Sequence, residues 1–113
     1  MVVTVAQDAL VVRFAKATDN IQNGSPDAVG LLDVSAGRLV DALSYEGAVS
    51  AGIVAGIGTP LNFVEGTVLP TTIADSNTQN GSLVRQPNGV DTDDAASDWR
   101  FATTPTPGAP NLP

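Results

Sequence analysis

The clearest alternation in the chain is Arg38-Leu39-Val40-Asp41-Ala42-Leu43-Ser44-Tyr45. As a strand it sets Leu39, Leu43 and Tyr45 on one face and Val40 and Ala42 on the other. Val29-Gly30-Leu31-Leu32-Asp33 precedes it, separated by a tight Ser35-Ala36-Gly37 turn. Two apolar runs across a glycine-containing turn predict a β-hairpin. Upstream, residues 1–5 and Ala9-Leu10-Val11-Val12-Arg13-Phe14 predict two more strands, and the polar stretch 15–28 a loop. Downstream, Ser82-Leu83-Val84-Arg85 is bounded by Asn80-Gly81 and Pro87-Asn88-Gly89 and reads as a strand. Trp99-Arg100-Phe101-Ala102 reads as the last strand, after an Asp-rich loop with a helical turn at residues 94–97.

Residues 46–80 carry no such period. Gly47, Gly52, Gly56, Gly58, Pro60, Gly66 and Pro70 break any long element. The small apolar run 48–57 fits a strand, a short helix or a buried loop equally well, and Val64 and Val68-Leu69 fit short strand pieces. Six or seven short strands between turns predict an all-β fold, a sandwich or a partly open barrel. No strand–helix alternation is present, which disfavours a parallel α/β sheet.

Composition supports this and removes much chemistry. One hundred and thirteen residues fit one domain, here residues 1–104, followed by a Pro-rich tail, residues 105–113. The chain has 11 Gly and 8 Pro, as a turn-rich β domain would. It has no His and no Cys. That excludes a Ser-His-Asp triad, a thiolate nucleophile, disulfides and a Cys/His zinc site within the chain. Ser25, Ser44 and Ser82 then have no histidine to activate them, and Lys16, the single lysine, sits in a predicted loop. No enzyme is expected. The net charge of −7 repels phosphate backbones, so no direct nucleic-acid partner is expected. No apolar run reaches the length of a membrane span, and Asp8 and Arg13 interrupt the start, so no signal peptide is expected in residues 1–15.

Two blocks carry more than pattern. The first is Ile21-Gln22-Asn23-Gly24-Ser25-Pro26-Asp27-Ala28-Val29-Gly30-Leu31-Leu32-Asp33, then Val40-Asp41-Ala42-Leu43-Ser44-Tyr45-Glu46-Gly47. The second runs from Gly81 through Pro87-Asn88-Gly89 and Trp99-Arg100-Phe101 to Thr106-Pro107-Gly108-Ala109-Pro110-Asn111. In order and spacing they resemble bacterial lamin-tail domains of the type appended to extracellular nucleases. The resemblance implies an Ig-like β-sandwich, a structural or protein-interaction role without catalytic residues, and an extracellular or envelope location. The strands that open that family's domain have no counterpart here. This predicts a sandwich completed by a partner strand, and hence a homodimer. An accessory role beside a secreted nuclease is an alternative.

Asp91, Asp93, Asp94 and Asp98 are the densest carboxylates and the candidate ligands for Ca²⁺, which takes six to eight oxygens. They would make the chain a calcium-stabilised adhesion or carbohydrate-binding module. The EF-hand spacing is absent, and the competing reading is a loop whose aspartates cap a turn. Trp99 and Tyr45 are expected in the core rather than as binding anchors.

Overall fold

A computed structural model describes residues 24–112. The expected strands at residues 1–5 and 9–14 and the single lysine, Lys16, lie outside them. Among the described residues the chain is all-β, with four strands and one four-residue helix. The strands are β1 (Asp27–Asp33), β2 (Arg38–Tyr45), β3 (Ser82–Arg85) and β4 (Trp99–Ala102), and the helix, α1 (Ala95–Asp98), immediately precedes β4. They form two antiparallel hairpin sheets, β1–β2 and β3–β4.

β2, β3 and β4 fall where the alternation puts them. β1 starts two residues earlier than predicted, inside the supposed loop, because Asp27 and Ala28 pair with Tyr45 and Ser44. The register shifts between Leu31 and Leu32, so Leu31 faces Asp41 while Leu32 faces Leu39. Val40 is thereby left over on β2 and exposed, a bulge near the turn end of the hairpin.

Residues 46–80 settle as loop, not as strand or helix. Their one ladder-like element is the Gly52–Leu61 bridge, with Gly52 N donating to Leu61 O and Leu61 N to Gly52 O. The strand pieces expected at Val64 and at Val68-Leu69 do not form. The loop nonetheless builds a layer. Phe63 lies between Gly30 on β1 and Gly52, and a Cβ at either glycine would stand within 2.8 Å of its ring. Both glycines are therefore needed for close approach, and the aromatic covers one face of the first sheet.

The other face carries the core. Leu43 and Tyr45 of β2 meet Leu69 and Ala95, with Ile73, Leu83 and Trp99 packed around them. Leu69 is 0% exposed although it comes from an irregular stretch. Because β2 is covered on both sides, Ala42, Leu43, Ser44 and Tyr45 are all buried in succession. The two hairpins thus meet through side chains and not through a shared ladder.

The tail is not free. Residues 105–111 turn back along β3, where Asn111 Nδ2 donates to Arg85 O at 2.9 Å and Asn111 N donates to Asn88 Oδ1 at 2.7 Å. Val84, which points away from the core shared with Leu43, is buried on that side.

Candidate functional site

The polar centre of the molecule is Arg85, on β3. Leu83 and Arg85 are two apart on a strand, so both turn toward the first sheet. A cation there needs partners, and four carboxylates supply them. Arg85 Nη2 lies 2.7 Å from Asp41 and 3.8 Å from Glu65. Arg85 Nη1 lies 2.9 Å from Asp91 and 3.4 Å from Asp98. Its guanidinium carbon sits 5.0 Å from the centroid of the Trp99 ring, a cation–π contact. One cation therefore joins β2, the 65–67 segment, the Asp-rich loop and α1.

Three of the four carboxylates, Glu65, Asp91 and Asp98, are also tied to backbone. Glu65 Oε1 accepts from Ala42 N at 2.9 Å, which fastens β2 to the irregular segment. Burial pushes the Glu65 carboxyl above its ordinary range, against the pull of the Ala42 N–H. Asp98 is 3% exposed and accepts from Thr92 N and Thr92 Oγ1, both at 2.8 Å. The Thr92 N–H holds its carboxyl below the usual carboxylate range.

The four sequence-predicted calcium ligands do different jobs. Asp91 pairs with Arg85 and accepts from Asp93 N at 3.1 Å. Asp93 occupies a left-handed backbone position, φ 56°, at the loop's corner. Asp94 is the N-cap of α1: its Oδ1 accepts from Ser97 N at 3.0 Å, and its Oδ2 accepts from Thr67 N at 3.0 Å. Asp98 turns to Arg85 and Thr92. No group of three or more metal-ligating side chains among the described residues converges on one point. What the Asp-rich loop builds is a cap and an ion-pair cluster. The sequence reading missed Arg85, although its inward position beside Leu83 on a predicted strand was the signal that could have found it.

Gly66 is what lets the loop and α1 meet. Its φ is +54°, and a Cβ there would lie 2.7 Å from Asp93 O and from Asp94 Oδ2. Only glycine meets both demands. The contact places Ala95 N on Glu65 O at 2.9 Å and Ala96 N on Thr67 O at 3.2 Å.

Asp94 makes stability depend on acid. Hydrogen bonds from Thr67 and then Ser97 hold its pKa down to about 2, against 3.8 for the free group. Its ionised form favours the folded chain, so its contribution is complete above pH 3.8 and fades as the pH falls towards 2. The urea midpoint of the wild type should drop through this window. Asp94→Asn keeps a good capping side chain but cannot titrate, so it should flatten that part of the fall. An unchanged acid limb would show that the cap is not ionised in the way described.

The hydroxyls considered as nucleophiles are structural where hydrogen bonds fix them. Ser44 Oγ donates to Gly47 O at 2.7 Å and accepts from Val49 N at 2.8 Å. Ser25 Oγ donates to Glu46 O at 2.6 Å. Tyr45 is in the core, as expected; Trp99 is half-buried against it, with its Nε1 enclosed and making no hydrogen bond.

Beside the core a trough of about 710 Å³ opens between the two hairpins. Val29 and Leu31 of β1, Leu43 and Tyr45 of β2, Leu83 and Trp99 give it apolar walls, and Asp41 and Asp75 are its acids. Val29 is 50% and Leu31 62% exposed. Comparison with protein-family models, with curated proteins and with solved structures gives no match.

Proposed function

We propose that this chain is a non-catalytic structural or protein-interaction module, an Ig-like β-sandwich of the lamin-tail kind, working outside the cell or in its envelope. The observation that supports the reading is the pair of antiparallel hairpins whose apolar faces meet across Leu43, Leu69 and Trp99, beside a polar centre in which Arg85 pairs with four acids. Arg85 and its four acids are occupied with one another, and the ordered serines hold backbone. With no His or Cys in the sequence, the groups that most often move protons or attack carbonyls are absent. The low charge of −7 favours protein over nucleic-acid partners.

The partner proposed first is a second copy. Each sheet has only two strands, so each strand has one side without a ladder partner among the described residues. Val34 in the β1–β2 turn and the bulged Val40 are exposed at the same hairpin end. Free edges and apolar side chains are normally covered, and a two-fold pairing covers both at once. Sedimentation velocity at micromolar concentration should show a dimer, and Val40→Asp should shift it towards monomer. A wild-type monomer throughout a concentration series would overturn self-association.

A further inference from the structure

The trough between the hairpins has apolar walls and acidic ends. On β2, Asp41, Leu43 and Tyr45 share one face, and on β1 Leu31 and Val29 stand opposite Asp41 and Leu43 in the register. Leu43 is buried, while Val29 and Leu31 are at least half exposed. At one end Asp41 shares Arg85 with Glu65, Asp91 and Asp98, so four negative charges meet one positive charge. At the other end burial, and then the charges of Asp27, Asp75 and Glu46, raise the Tyr45 hydroxyl above its ordinary pKa. Asp75 lines the trough there; it is exposed and makes no ion pair among the described residues. The two ends lie four residues apart along β2, about 13 Å.

We propose that the trough seats an extended segment of another protein, one that carries an apolar side chain flanked on the same face by basic side chains. In an extended segment residues i, i+2 and i+4 turn to one face and span about 13 Å. The central apolar side chain then meets Val29, Leu31 and Leu43, while one cation meets the Asp41 end and the other meets Asp75. This rests on the reading of the chain as a protein-interaction module and gives that module the chemistry of a partner.

Charge selects the occupant. No cation lines the trough among the described residues. Nucleic acid and anionic lipid would bring negative charge to an acidic site and be repelled. A second copy brings a net charge of −7. The described residues hold ten of the twelve acids and three of the five cations, and one of those three, Arg85, is committed to its own acids. A small free cation would answer one acidic end and leave the apolar walls in water. A segment that alternates basic and apolar side chains answers both ends and covers the walls, and side chains taken alternately are how extended peptides are read.

Trp99, the only tryptophan, lines the trough and reports on it. The full chain is titrated with the blocked peptide Thr-Arg-Val-Leu-Val-Arg-Thr, and Trp99 emission is followed. A saturable change is expected, weakening at about 1 M salt, where charges are screened beyond about 3 Å. The same peptide with Glu for both Arg, or with Ser for Leu, should bind far more weakly. Asp75→Asn should weaken binding of the Arg peptide about two- to fivefold, the usual worth of one exposed charge pair. Leu31→Lys should weaken it about tenfold through lost apolar burial. Both side chains are exposed, so the fold does not hang on them, and the peptide changes test the proposal on the unaltered chain. No binding of the Arg peptide, equal binding of the Arg and Glu peptides, or equal binding of the Leu and Ser peptides would each overturn the proposal. A shift of Trp99 emission with chain concentration alone would assign the trough to a second copy and overturn it as well. Failure here leaves the dimer at the hairpin end to its own test by sedimentation.

Discussion

Arg85→Ala should be among the most damaging single substitutions in this protein, costing about 3–5 kcal/mol, the range for breaking a buried ion pair by removing one partner. The arginine is the only cation within reach of Asp41, Glu65, Asp91 and Asp98 among the described residues. Without it, the enclosed Glu65 and Asp98 lose their counter-charge, and Trp99 loses the guanidinium stacked on its ring. Arg85→Lys should recover only part of the loss. An ammonium is a compact point charge, whereas the guanidinium spreads two nitrogens between the Asp41–Glu65 side and the Asp91–Asp98 side. Arg85→Ala should also regain stability relative to wild type as Glu65, whose carboxyl burial pushes above its ordinary range, is protonated, because part of the repulsion that replaces the ion pairs then disappears. Urea titrations at neutral and at mildly acidic pH measure both effects. A loss below about 1 kcal/mol, the usual worth of surface pairs, would mean that the four carboxylates relax into water and that the cluster holds nothing together.

Leu69→Ala should cost a similar amount, about 2–5 kcal/mol. Leu69 is wholly enclosed between Leu43, Tyr45 and Ala95, and it is followed at once by Pro70, so the segment has little freedom to collapse into the space. Leu69→Met keeps the volume and should cost less than about 1.5 kcal/mol. Chemical denaturation of the two variants side by side separates packing from any local effect of changing the loop. Equal, small losses in both would place Leu69 at a site that can close over.

The two residues differ in how readily the sequence discloses them. β2, β3 and β4 were legible because each has an alternation and a turn at its border: Gly37 before Arg38, Gly81 before Ser82, and the capped turn at Asp94 before Trp99. These are local signals, and local signals survive without a partner sequence. Leu69 has none. It is buried by Tyr45 and Ala95, which lie 24 and 26 residues away, and its own neighbours have no period. The Asp-rich loop was visible as a carboxylate cluster, but its meaning lay elsewhere. A sequence shows four aspartates close together; only the fold shows that two of them face a cation supplied by another strand while a third caps a helix. The Ig-like reading of the sequence rested on the order of its blocks, and it stands here as the proposed function and not as a property of the four strands.

The arginine cluster also has a consequence in time. Each hairpin closes over a short turn, a local event on the scale of about 1–10 μs. Arg85 and Asp41 are 44 residues apart, and Glu65 is 23 residues from the Ala42 amide it binds. Such contacts pay for long loops before they return anything, so they are expected to form after the hairpins. Interactions absent from the transition state act on the rate of leaving the native state and not on the rate of reaching it. Arg85 would then act as a late-closing latch: its removal should steepen the loss of kinetic lifetime, seen as a raised unfolding limb in stopped-flow experiments with a nearly unchanged refolding limb. The lifetime of the folded chain would then be set by how slowly this one latch opens.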